Sequence, residues 1–239
     1  LAELDRVGVL LHDAAMALVA LQTAGIARGI YRCAGCSPMG DLDVLVDPRQ
    51  FRQAHQILVD DGFQFEFRSP FESAELNEAE LGGGSEYWKM LPSGEKLWFE
   101  LQWRPVAGRW IRPDQEPSAS DLISRSIPIE GSQVRLLAPE DNLLQVALHT
   151  AKHTYVRAPG FRLHTDVDRI VRRQNVDWQA FVDSAQRIQV KTAVFFSLVI
   201  PKAIFETPIP DDVLNDLRPS AAKMNYMHRW LRRVDLFGP

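Results

Sequence analysis

"GDLDVLV", residues 40–46, sets two carboxylates at the start of an otherwise apolar run. Read as a strand, it turns Leu42, Val44 and Val46 to one face and Asp41, Asp43 and Leu45 to the other. Asp41 and Asp43 then stand about 7 Å apart along one face and repel each other. Such a pair needs a partner charge. A divalent cation suits it, because hard cations prefer carboxylate oxygens. The alternative is a solvated start to a buried strand.

A second alternating run, "KLWFELQW" at 96–103, directs Leu97, Phe99, Leu101 and Trp103 to one side and Trp98, Glu100 and Gln102 to the other. If the two strands are neighbours, Asp41, Asp43 and Glu100 converge on one sheet surface. An uncompensated cluster of this kind destabilises a fold at neutral pH. Divalent ions neutralise it, and two-metal carboxylate sites serve in-line displacement at phosphorus.

The rest of the chain supplies the frame. Leu10, Leu11, Ala14, Leu18 and Leu21 recur at helical spacing, which predicts a helix over 4–24 with Gly25 as its stop. Asp47 and Pro48 read as N-cap and first helical position of a helix carrying Phe51, Ala54, Ile57 and Leu58, closed by Gly62. Phe63, Phe65 and Phe67 alternate as a strand. Residues 69–86, acidic and ending in "GGGS", read as an exposed mobile loop. After a short strand at 133–137, helices are expected from Pro139 to about Tyr155 and at about 162–173, 177–189, 190–205 and 220–233, with Asp177 as an N-cap. The fold class is therefore α+β: a mixed-sheet domain at 1–130, then a helical region at 131–239.

The 239 residues carry 46% hydrophobic and 24% charged side chains and a net charge of −4, ordinary values for a globular protein. No global positive field recruits nucleic acid, which is not expected as a partner. The longest apolar runs, such as "TAVFFSLVI", are too short to span a bilayer. Two cysteines exclude a disulfide framework and suit a reducing cytosol, so a cytoplasmic location is expected. Cys33 and Cys36 form a C-x-x-C pair without the second pair that a zinc site needs, so two reduced cysteines are the default. The chain starts at Leu rather than Met, which reads as trimming.

The ordered series "GDLDVLV", "DDGF", "WFELQW", "LAPEDNLLQVALHTAKH", "LHTDVDRIV" and "VDW" resembles an uncharacterised bacterial nucleotidyltransferase family of the polymerase-β-like superfamily. The resemblance covers about residues 5–205. It implies a mixed-sheet nucleotidyltransferase domain with a helical C-terminal part, and transfer of a nucleoside monophosphate from a nucleoside triphosphate such as ATP. It also implies Mg²⁺ or Mn²⁺ as the cofactor. Asp41 and Asp43 take the place of the family's metal-binding pair, and Glu100 that of its third carboxylate and catalytic partner.

The expected nucleotide- and substrate-binding set is Ser37, Gly40, His149, Lys152, His153 and Asp166. His149, Lys152 and His153 share one helix face. They either meet phosphates or acceptor, or the histidines bond Asp166 or backbone groups and hold the helical part in place. Trp98, Trp103 and Trp110 either stack a base or pack internally. Arg104, Arg109 and Arg112 either hold phosphates or form a solvated basic turn.

Three departures from the family pattern stand out. A strand ending in Lys-Gly is expected before the aspartate strand, yet "LQTAGI" runs straight into "ARGIYRC". Either that strand is lost, or residues are missing and a break falls between Ile26 and Tyr31. Ser37 stands where arginine is common, and Gln102 where histidine is frequent. The acceptor (small molecule, sugar, peptide or protein hydroxyl) is left open. Two rivals remain: an inactive nucleotide-binding module of the same fold, and a metal-dependent phosphoesterase.

Overall fold

A computed structural model of the chain describes residues 1–31, 39–68, 75–107, 110–157 and 160–233. Ser37, Cys33, Cys36 and Arg109 lie outside the described residues. The chain divides into two compact units, Leu1–Ala138 and the remainder from Pro139. The first unit runs past the boundary expected at residue 130, because the strand at 135–136 belongs to its sheet.

The first unit is built on a seven-stranded mixed sheet. Its strands are β1 (Val19–Ala20), β2 (Leu42–Leu45), β3 (Gln64–Phe65), β4 (Gly84–Met90), β5 (Lys96–Gln102), β6 (Ile127–Pro128) and β7 (Arg135–Leu136). The order across the sheet is β3-β4-β5-β2-β1-β7-β6. β2 runs parallel to β5, and β1 parallel to β7; the other pairs are antiparallel. Around the sheet lie α1 (Ala2–Asp13), α2 (Gln22–Gly29), α3 (Phe51–Asp60), α4 (Leu76–Gly82) and α5 (Ala119–Arg125).

The central strand β2 is buried along its whole length, and its two faces meet different cores. Leu42, Val44 and Val46 join the main core with Leu4, Val7, Leu58, Phe99, Leu101 and Trp103. Leu45 joins a small second core with Val19, Leu21, Ala119, Leu122 and Leu137. The period-2 reading of both strands is thus realised, and Asp43 lies on the face of the smaller core. Trp103 is a core residue: it stacks on Phe51 at 4.1 Å, and its Nε1 donates to the Glu80 carbonyl at 3.2 Å.

The structure corrects the expected helix over 4–24. α1 ends at Asp13, β1 pairs with β2 through Val19–Leu45 and Ala20–Val44, and α2 starts at Gln22. A strand therefore does stand between the first helix and the aspartate strand, and the residues after it are Leu21, Gln22 and Thr23 rather than Lys-Gly. Neither the loss of that strand nor a break between Ile26 and Tyr31 is found; α2 and the Tyr31 N–H to Ile26 carbonyl bond at 2.9 Å span the interval. Gly25 is not a stop. It lies inside α2, where a Cβ would sit 2.6 Å from the Ala20 carbonyl oxygen, so only glycine lets α2 approach β1 this closely.

Three further expectations change. Helix α3 begins at Phe51, not Pro48; Asp47 instead forms a turn, its Oδ1 accepting from the Arg49 N–H at 2.9 Å and its carbonyl from the Gln50 N–H at 2.8 Å. The stretch 69–86 is not one loop: α4 and the start of β4 lie within it. β4 forms because "SEYWKM" finds a partner strand in β5, which its own pattern does not announce.

The second unit is helical: α6 (Pro139–Lys152), α7 (Phe161–Arg173), α8 (Trp178–Arg187), α9 (Lys191–Phe205), α10 (Asp211–Leu217) and α11 (Ala221–Leu231). Asp177 caps α8 as expected, Oδ1 accepting from the Ala180 N–H at 3.0 Å. α10 was not foreseen. Among the described residues, no helix is long and apolar enough to cross a membrane.

Candidate active site

The register of two parallel strands builds the site. Asp43 on β2 pairs with Glu100 on β5. Asp41 precedes β2 on the same face. One oxygen from each of Asp41, Asp43 and Glu100 lies within 4.8 Å of the others, and this is the one such metal-competent cluster among the described residues. Asp43 is buried, while Asp41 and Glu100 are half-buried. Like charges this close raise the free energy of the cluster unless a cation offsets them.

Gln102 sits at the buried end of this surface. Its Nε2 donates to Asp43 Oδ1 at 3.2 Å and to Glu100 Oε1 at 3.0 Å. Its Oε1 is buried without a hydrogen-bond partner. Gln102 thus provides one donor shared by two carboxylates.

Sequence reasoning missed two residues here. Glu86 on β4 is the register partner of Glu100, and so adds a carboxylate to the same neighbourhood. Arg68 reaches across: its Nη2 lies 2.6 Å from Asp41 Oδ2, and its Nη2 and Nε lie 2.9 and 3.0 Å from Glu86 Oε1. Its guanidinium rests 5.3 Å from the Trp98 ring centroid. Burial works against the Arg68 charge, but the hydrogen bonds to Glu86 and Asp41 outweigh it and hold the guanidinium protonated. The signal that could have found them is the β4–β5 pairing, which the glycine run at 82–84 obscures.

Ion pairs assign the neighbouring arginines. Arg104 binds the buried Glu116, whose Oε2 also accepts from the Val106 N–H at 3.1 Å. Arg104 is therefore a structural residue rather than part of a solvated basic turn. Arg112 pairs with Asp114 at 3.3 Å on the exposed surface. Trp98 carries Lys96 as well as Arg68 over its ring, and Trp110 is exposed.

Gly40 lies in an exposed bend before Asp41. His149, Lys152, His153 and Asp166 belong to the helical unit. His149 on α6 and His153 just past its end meet edge to face, ring centroids 4.6 Å apart. Burial, then His153, Lys152 and Arg162, hold His149 well below its ordinary pKa, so it is neutral at pH 7. Asp166 is buried on α7. Nearby on α7, His164 is buried with its Nε2 on the Tyr155 carbonyl at 2.8 Å and its Nδ1 without a partner.

Together, a mixed α+β sheet domain with clustered carboxylates on adjoining strands and a helical C-terminal part is the architecture of a nucleotidyltransferase. The family profile described as uncharacterised nucleotidyltransferase matches residues 1–206, and the chain belongs to that family. A search of curated proteins found no match.

Proposed function

We propose that the protein is a divalent-metal-dependent nucleotidyltransferase that moves a nucleoside monophosphate from a nucleoside triphosphate to an acceptor hydroxyl. The observation that carries this reading is the Asp43–Glu100 register pairing, which gathers three carboxylates within 4.8 Å in a chain of this family. The donor set fits Mg²⁺ or Mn²⁺, since all three ligands offer hard oxygens and the cluster lacks the thiolates or imidazoles of a zinc site.

Asp41, Asp43 and Glu100 would hold the ions. Bound divalent ions neutralise the carboxylates and stabilise charge on the oxygens around the reacting phosphorus. In the transfer, the acceptor oxygen bonds to the α-phosphorus, the bond to the β,γ-diphosphate breaks, and pyrophosphate leaves. Glu100, the half-buried member of the β2–β5 pair, orients the acceptor hydroxyl and takes its proton. Gln102 holds Asp43 and Glu100 in one arrangement through its shared amide. In the helical unit, neutral His149 with Lys152, His153 and Asp166 serves nucleotide or acceptor binding, and Ser37 and Gly40 serve the phosphates.

Pyrophosphate release, followed across a panel of triphosphates and hydroxyl acceptors with Mg²⁺ or Mn²⁺, tests this. Acceptor-dependent release supports transfer. Nucleotide binding without release supports the inactive module, and ester cleavage without acceptor supports a phosphoesterase.

A further inference from the structure

Arg68 is the cation that the carboxylate cluster already has. It touches Asp41 through one nitrogen only, whereas Glu86 holds it twice through the side chain and a third time through the Arg68 backbone N–H, at 2.5 Å from Glu86 Oε2. Trp98 supports the guanidinium from one face. Asp41 thus holds Arg68 through a single hydrogen bond, and the Asp41 side chain is 26% exposed, within reach of an incoming ion. A divalent ion and a guanidinium on the same carboxylate oxygen repel each other.

We propose that Arg68 is a built-in counter-cation that competes with the incoming divalent ion for Asp41, and that the ion displaces it from Asp41 while Glu86 and Trp98 keep it beside the site. This rests on the reading of Asp41 as a metal ligand. Arg68 is a positioning residue: it keeps Asp41 in place while no ion is bound, and it lowers ion affinity until the ion is accompanied by a ligand that repays the lost contact. A guanidinium released from Asp41 has an Nη2 N–H to offer a triphosphate oxygen.

The test uses the full chain and Mn²⁺ as the probe. Isothermal titration gives Mn²⁺ affinity for wild type, Arg68→Met and Arg68→Lys, and ¹⁵N NMR follows the wild-type Arg68 Nε–H during a Mg²⁺ titration. Both variants should bind Mn²⁺ about two- to fivefold more tightly, the range of one partly exposed ion pair. The Arg68 Nε resonance should shift as Mg²⁺ saturates. Arg68→Lys discriminates, because it keeps the charge but cannot span Glu86 and Asp41 in a fork. Unchanged affinity in Arg68→Lys with tighter binding in Arg68→Met leaves only a general field effect and overturns the proposal. So does an Arg68 resonance that stays still at saturation, a readout that needs no variant to fold. Absence of Mn²⁺ binding in wild type overturns the metal-ligand reading itself, and the proposal with it.

Discussion

Asp43 and Glu100 face each other across parallel strands and share one hydrogen-bond donor, Gln102 Nε2, at 3.2 and 3.0 Å. A single amide thus holds the two carboxylates at a fixed separation.

Replacing that amide with a further carboxylate exposes the cost of the cluster. Gln102→Glu is expected to destabilise the fold at pH 7 by about 2–3 kcal/mol, because a donor is lost and a buried like charge is gained. The added carboxylate's pKa is raised by its neighbours, so the loss should shrink as pH falls toward 5 and the group is protonated. Melting temperatures across pH 5–8 check the sign; a loss that grows on acidification contradicts it.

Asp43→Asn keeps the shape of the side chain but removes one charge and a strong ligand oxygen. Pyrophosphate release should fall by orders of magnitude while the ion-free melting temperature holds level or rises, since repulsion falls. In wild type, Mg²⁺ at 100 times its Kd should add about 2.7 kcal/mol of stability, because the unfolded chain has no site to bind it. A variant that retains both turnover and the Mg²⁺ response removes Asp43 from the mechanism.

Gly83 ends α4 in the left-handed region at φ +79°, and a Cβ there would meet the Arg104 stem at 2.3–2.5 Å. Gly83→Ala should cost about 2–4 kcal/mol, combining backbone strain with displacement of the residue that neutralises Glu116. Denaturant unfolding of this variant beside Gly82→Ala, where a Cβ meets nothing within 4 Å, isolates the effect.

His164 gives the helical unit a pH dependence. Its Nε2 must carry the proton donated to the Tyr155 carbonyl, which leaves Nδ1 as a buried bare acceptor. Burial lowers its pKa, with the Tyr155 bond acting weakly the other way. The unfolded chain therefore binds the proton more readily, and stability should fall as pH drops below the unfolded value of about 6.5. His164→Gln should flatten that slope between pH 7 and 5. Thermal melts of both proteins over this range provide the comparison.

The residues that could be read in advance are those whose pattern is local. β2 and β5 alternate strictly, and α8 begins at a capping aspartate, so Asp41, Asp43 and Glu100 were legible one strand at a time. β1 was not, because two residues within "LVALQTAGI" fit helical spacing as well as a strand; pairing with Val44 and Leu45 decides between them. Arg68 and Glu86 were invisible for the same reason. Their place beside Asp41 follows from strand order, and the glycines before β4 argue locally for a loop.

The separation along the chain has a consequence for how the protein is made. Gln102 and Asp43 lie 59 residues apart, and β2 leaves the ribosome well before β5. Until β5 docks, a nascent chain displays the aspartates with neither Glu100 nor the Gln102 amide in reach. The carboxylate cluster comes into being as the sheet closes, a long-range step of the kind that folds slowly. Ion capture by a stalled or truncated chain would then mark the moment at which synthesis has passed residue 102 and the central strands have joined.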